Sequence, residues 1–207
     1  MTNVGDVHVH DGDDPLPLPS PAGVPGHDVQ FYDRDEFLAD TVARFLADGV
    51  KAGQPLIVIA TKRHRAAFAD TLRQMGFDPD GAVGAPQPIW LDARQTLASF
   101  MEGAMPNPEL FTATVGSVFD KTVGERGYLV ARAYGEMVDL LFKDGNIEGA
   151  IELEKLWNGL AGRHAFSLLC AYSMGNFYKE SQARALSRVC AQHGRVLPPA
   201  DRPDWVL

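Results

Sequence analysis

A chain of 207 residues, 45% hydrophobic, 9% aromatic and 22% charged, has the composition of one globular domain with a full core. A net charge of −8 without any dense basic run excludes general affinity for nucleic-acid backbones, which need clustered Lys and Arg. The longest apolar stretches, Pro55 to Ala60 and Phe166 to Met174, fall far short of the about 20 residues that cross a bilayer. No secretory signal precedes the domain, and only Cys170 and Cys190 are present, so the chain reads as cytoplasmic with unpaired thiols.

Residues 1–26 are rich in Gly, Asp and Pro and read as a flexible leader, dispensable for folding. His27 to Tyr32 is a short strand. Asp33 with Glu36 three residues on predicts a capping box, opening a helix with Phe37, Leu38, Val42, Phe45, Leu46 and Val50 on one side. Pro55 to Ala60 is the continuous apolar run of a strand buried on both faces of a parallel sheet. Thr61 caps a second helix that stops at Gly76. Pro88 to Leu91 is a third strand, followed by a helix capped by Asp92. Asn107 and Pro108 open a further helix.

Tyr128 to Ala133 reads as the fourth strand and Gly135 to Phe142 as a helix stopping at Gly145. Ile147 to Leu160 is helical with Ala150, Leu153, Trp157 and Leu160 inward. Ala165 to Tyr172 is the fifth strand, Ser181 to His193 the last helix, and 196–207 an extended tail. Strands separated by helices imply crossover connections, hence an α/β fold with a mostly parallel central sheet flanked by helices.

The first strand-to-helix turn, Tyr32-Asp33-Arg34-Asp35-Glu36, has three carboxylates and no glycine, so it repels phosphate where a P-loop would wrap it. Gly-x-Gly-x-x-Gly, His-Glu-x-x-His, Cys-x-x-Cys and Gly-x-Ser-x-Gly do not occur. The His8-Val9-His10 pair lies in the leader, so neither a cofactor nor a metal is expected. Ser173 follows a strand and reads as a helix cap. Arg132 and Glu136 bracket the expected exit of the fourth strand, where they form either a buried ion pair or a polar hand for a ligand. Glu154 and Trp157 share one helix face.

Several segments, in order and with similar gaps, resemble one family. They are His27-x-x-x-Phe31-Tyr32, Phe45-Leu46-x-x-Gly49, the PLIVIA run at 55–60, Leu72-x-x-x-Gly76, Arg132-Ala133-Tyr134-Gly135-Glu136-Met137, Leu153-Glu154-x-Leu156-Trp157-Asn158 and Leu169-Cys170-Ala171-Tyr172. The pattern, from about His27 to His193, resembles the MEDS family, the methanogen/methylotroph DcmR-type sensory domain. The resemblance implies a RecA-like fold of the KaiC type that has lost its P-loop, and a sensory role toward small molecules such as hydrocarbon derivatives. It places the sensory domain at 27–195. Members are often joined to output modules, for which this chain has no room, so the expected output is a separate signalling or regulatory protein, with self-association as another route.

The expected ligand is a small, fairly apolar molecule in a pocket at the C-terminal edge of the sheet, lined by Tyr32, Thr61, Asp92, Arg132, Glu136 and Tyr172. The remaining motif residues, His27, Phe31, Glu154, Trp157 and Cys170, read as structural; His27 sits at the start of its strand, away from that edge. The function expected is a small-molecule sensory module in prokaryotic signal transduction or transcriptional regulation. The alternatives are an enzyme with a degenerate nucleotide site and a purely structural interaction domain.

Overall fold

A computed structural model describes residues 18–80, 88–124, 130–177 and 183–200. The leader through residue 17, Tyr128 and Ser181 at two expected element starts, and the tail from residue 201 lie outside the described residues.

Six parallel strands form the central sheet: β1 (Gly26–Tyr32), β2 (Leu56–Ala60), β3 (Ile89–Asp92), β6 (Ala131–Gly135), β7 (Phe166–Ser173) and β8 (Arg195–Leu197). Their spatial order is β3-β2-β6-β7-β1-β8, so β6 and β7 stand between the first two strands. Parallel pairing requires a crossover for every strand, and helices supply them on both faces. Helices α1 (Asp35–Lys51) and α2 (Lys62–Gln74) pack on one face over Val58, Tyr134, Leu169 and Ala171. The other face carries α3 (Ala93–Ala98), α6 (Met137–Lys143), α7 (Ile147–Ala161) and α8 (Ala183–Cys190) over Phe31, Ile57, Leu168 and Tyr172. With both faces covered, β2 and β6 are buried at every position, which is why β2 reads as an unbroken apolar run rather than an alternating one. No described helix is long and apolar enough to cross a membrane.

A two-stranded antiparallel hairpin, β4 (Met101–Glu102) with β5 (Met105–Pro106), precedes a helical run. That run joins α4 (Pro108–Phe111) and α5 (Ser117–Phe119) through a π-helical segment at Thr112–Gly116, with a second at Asp120–Gly124. The side chains of Thr61, Asp92 and Asn107 cap α2, α3 and α4 as their types require, each accepting a backbone amide. Gly76 and Gly145 take positive φ past α2 and α6, the left-handed stop that favours glycine.

Two expectations are corrected, and the tail and the leader show contacts that no local signal announced. Arg34, not Asp33, occupies the N-cap of α1 and makes no side-chain cap; Asp35 and Glu36 instead meet the positive end of the helix dipole. The fourth strand in sequence runs Ala131–Gly135, later than the Tyr128 to Ala133 expected. At the start of the tail, Arg195–Leu197 pairs with Asp28, Val29 and Gln30 as the sixth strand. Within the leader Ser20 is anchored: it is buried, its amide donates to Asp28 Oδ2 at 2.6 Å, and its carbonyl accepts from Arg132 Nη2 at 3.0 Å.

Candidate functional site

The shift of the fourth strand separates Arg132 from Glu136. Arg132 pairs in register with Leu56, the first residue of β2, and therefore sits at the N-terminal edge of the sheet. Glu136 lies one residue past β6, at the C-terminal edge. Four residue steps along the strand separate them by about 13 Å, so they form no ion pair.

At the N-terminal edge, Arg132 is 1% exposed, and its hydrogen-bond partners among the described residues are two carbonyls and an amide oxygen rather than carboxylates. Nη1 donates to the Phe45 carbonyl at 2.9 Å, Nη2 to the Ser20 carbonyl, and Nε to Gln54 Oε1 at 3.3 Å, while the guanidinium lies 4.2 Å over the Phe45 ring. Glycine is required at position 49 of α1: a Cβ there would lie 2.8 Å from Leu56 Cδ2 and 3.0 Å from Arg132 Cδ. Beside this guanidinium opens a cavity of about 620 Å³, with Leu18, Pro19, Phe45 and Met75 among its apolar walls and Arg44 and Arg195 among its charged ones. A guanidinium carries five N–H donors, and three of those of Arg132 have acceptors among the described residues.

At the C-terminal edge, on the α1/α2 face, Glu136 gathers three donors. His64 Nδ1 donates to Oε2 at 2.5 Å, Tyr134 donates to the same oxygen at 3.0 Å, and the Thr61 amide donates to Oε1 at 2.6 Å. The other ring nitrogen of His64 stands 3.5 Å from Asp35 Oδ2, which also holds Arg63 at 2.6 Å. Burial opposes charge on His64, but the hydrogen bond and charge of Glu136, with Asp35 behind it, outweigh burial and raise its pKa. Burial likewise would raise Glu136, but His64 and the Thr61 amide hold it below the ordinary value. A carboxylate beside each ring nitrogen favours the imidazolium form of His64.

Tyr32 belongs to the same edge. Its ring meets His64 edge-on at 6.2 Å, and its hydroxyl donates to Asp139 Oδ2 at 3.2 Å. Asp139 also accepts from Lys143 at 2.6 Å, from the Ser173 amide at 3.0 Å and from Asn176 at 2.7 Å. Ser173 thus contributes its amide to this network from the end of β7, just before the 3-10 turn at Met174–Phe177. Asp92 caps α3 and pairs with Arg65 at 2.8 Å, one strand beyond.

Tyr172 faces the opposite side of the sheet and joins the motif residues. Its hydroxyl donates to Glu154 Oε1 at 2.8 Å, and its ring packs on Phe31 and Phe142. Glu154, on the inner face of α7, is fully buried. His27 Nε2 lies 3.3 Å from Glu154 Oε2 and 3.3 Å from Cys170 Sγ; Cys170 Sγ is 3.6 Å from Glu154 Oε2; His193 Nε2 is 3.4 Å from Glu154 Oε1. One ligand atom from each of these four side chains lies within 4.8 Å of all the others, so the set could hold a metal ion. Burial would raise Glu154, but His193 and His27 bring it well below the carboxylate range; burial, then Glu154, pushes the Cys170 thiol up. Trp157 packs in the core beside this cluster, against Phe111, Phe119 and Phe166.

The six residues expected to line one pocket therefore divide. Tyr32, Thr61 and Glu136 converge at the C-terminal edge. Arg132 anchors the opposite edge, Tyr172 belongs to the other face, and Asp92 stands apart. Sequence reasoning missed His64, Asp139 and His193. The only signal for His64 was its place three residues after the capping Thr61; Asp139 and His193 carried none.

No curated protein matches the chain by sequence. The family model for MEDS, the methanogen/methylotroph DcmR sensory domain, matches residues 26–189, and with the parallel sheet and the motif residues in place the chain belongs to that family of sensory domains.

Proposed function

We propose that this domain detects a small, fairly apolar molecule with a polar end, without chemically changing it, and relays occupancy to a separate output protein in prokaryotic signalling or transcriptional control. The observation that carries the reading is the cavity of about 620 Å³ beside Arg132, a size that suits small ligands. Its apolar walls receive the body of the ligand, and the guanidinium of Arg132 orients the polar end. An anionic end fits best, because Arg44, Lys51 and Arg195 also line the opening against one carboxylate, Asp48. Arg132 holds the Ser20 and Phe45 carbonyls, so a guest that draws on the guanidinium shifts the chain leading into β1 and the inner face of α1 together. Coupling of that kind gives the ligand differential contacts with two states, which a sensor requires.

The test uses a panel of short alkanoates, alcohols and haloalkanes read by ligand-observed NMR and thermal shift on the full chain. Met75, 38% exposed at the cavity wall, tolerates enlargement without disturbing the core. Met75→Trp should weaken binding by about tenfold or more, worth about 1.4 kcal/mol, while leaving the far-ultraviolet dichroism unchanged. Binding that is unaffected by Met75→Trp would move the site away from this cavity. Absence of binding by every class in the panel would defeat the small-molecule reading.

A further inference from the structure

We propose that His27, Glu154, Cys170 and His193 form a binding site for a divalent transition metal of the zinc class, which fastens the C-terminal α8–β8 segment to the sheet. This site is separate from the cavity at Arg132 and does not depend on the sensing proposal.

The separations are those that a tetrahedral metal site requires. Metal–ligand bonds of about 2.0–2.3 Å in a tetrahedron put neighbouring donor atoms about 3.3–3.8 Å apart. Three of the donor pairs, among His27 Nε2, Cys170 Sγ and Glu154 Oε2, already stand at 3.3, 3.3 and 3.6 Å, and His193 Nε2 lies 3.4 Å from the second oxygen of Glu154. All six pairs lie within 4.8 Å, so an inward move of His193 by about 1 Å completes the tetrahedron. Two imidazoles, one thiol and one carboxylate are a donor set that zinc accepts.

The outer contacts set both histidines for ligation. Asn158 donates through Nδ2 to the Gln192 carbonyl, which turns its Oδ1 toward His27; His27 Nδ1 must then carry the hydrogen, at 2.9 Å. His193 Nδ1 donates to the Val189 carbonyl at 2.7 Å. Each ring is thereby left with Nε2 as the inward-facing base, the arrangement in which a second contact orients a metal-bound imidazole. Tyr172 does the same for Glu154 by donating to Oε1. The His193 side chain has no exposed surface, yet its Nε2 makes no hydrogen bond within the described residues: Glu154 is near but misaligned. A buried nitrogen without a partner is costly, and a metal ion satisfies it.

Charge closes the argument. The fully buried carboxylate of Glu154 has no Lys or Arg among its contacts in the described residues. A divalent ion entering the site displaces the Cys170 thiol proton to solvent. Metal, thiolate, carboxylate and two neutral imidazoles then sum to zero charge inside the core. Four protein ligands leave no open position, which marks the site as structural or regulatory rather than catalytic. The ligands join β1, β7 and α7 to the turn after α8, where the Gly194 amide also donates to the His27 carbonyl at 2.7 Å.

The test is titration of the full chain, stripped with a chelator and kept reduced, with Co(II) and then Zn(II). One equivalent of Co(II) should produce a sulfur-to-cobalt charge-transfer band with intense tetrahedral visible absorption, and Zn(II) should abolish both. Cys170→Ser should lose the charge-transfer band, and Cys190→Ser should keep it. Should Cys170→Ser fail to fold, His193→Gln, altered on a turn, should weaken binding by more than about tenfold, the size seen when even an outer contact is lost. Failure of reduced wild type to take up either metal, persistence of the band in Cys170→Ser, unchanged affinity in His193→Gln, or loss of the band in Cys190→Ser would each overturn the site.

Discussion

Two glutamate–histidine clusters lie on opposite faces of one sheet, and they differ in what remains unsatisfied. Around Glu136 every strong donor has an acceptor: His64 faces a carboxylate on each side, while Tyr134 and the Thr61 amide occupy Glu136. Around Glu154 the donors and acceptors do not balance, since a thiol and two inward-facing imidazole nitrogens converge on one carboxylate and the Nε2 of His193 makes no hydrogen bond among the described residues. Saturation marks an ion pair that holds α2 to the end of β6. Convergent Lewis bases mark a site made for something else. Burial and residue type alone do not separate these two cases; the count of partners does.

The largest effect should come from breaking the saturated cluster. Glu136→Ala removes the acceptor of three donors and leaves His64 buried beside them, so it should cost about 3–5 kcal/mol in urea unfolding. A loss under about 1 kcal/mol would show that the Glu136 cluster is not the tie between α2 and β6.

The pH dependence sharpens the same contrast. His64 titrates above its ordinary 6.5, so the stability it contributes is complete below that value and is lost as pH rises through its folded pKa. Glu136 titrates below its ordinary 4.5, so its contribution is present above that value and is lost as pH falls through its folded pKa. The pair contributes most between 4.5 and 6.5. The stability gap between wild type and His64→Gln should peak in that window and shrink on either side; a gap that grows steadily above 6.5 would contradict the imidazolium assignment.

The smallest effects compare single hydroxyls. Tyr134→Phe and Tyr172→Phe each delete one hydrogen bond to a buried glutamate, at 3.0 and 2.8 Å, and each should cost about 1.5–3 kcal/mol as a bond to a charged group. Adding Zn(II) should leave the Tyr134→Phe penalty unchanged but alter that of Tyr172→Phe, because only Tyr172 orients a proposed metal ligand. Equal responses in chemical denaturation would remove the distinction between the clusters.

Much of the fold was legible in the chain because its signals are local. Thr61, Asp92 and Asn107 announce helix starts through a side chain that reaches an amide two or three residues on, and Gly76 and Gly145 announce stops through backbone freedom. The unbroken apolar run at Leu56–Ala60 announces a strand covered on both faces. The candidate site was less legible. A few residues of error in placing β6 put Arg132 at the wrong end of the sheet, since strand boundaries depend on pairing with β2 and β7 rather than on the strand's own residues. The edge strand Arg195–Leu197 was hidden for the same reason: its three residues are held by β1, from the far end of the chain.

By itself, the sequence determined the parallel α/β class, the acidic turn after β1 that lacks a phosphate cradle, and the motif residues that mark the family. Apolar periodicity, capping chemistry and residue type are sufficient for those. Only the tertiary structure decided which polar residues share a site, because His27, Glu154, Cys170 and His193 are brought together by crossovers over most of the chain and carry no common spacing. The same holds for Arg132, whose partners Ser20, Phe45 and Gln54 come from three separate segments. A buried polar group must find its partners wherever the fold delivers them, and that delivery is a property of strand order and register rather than of any local stretch.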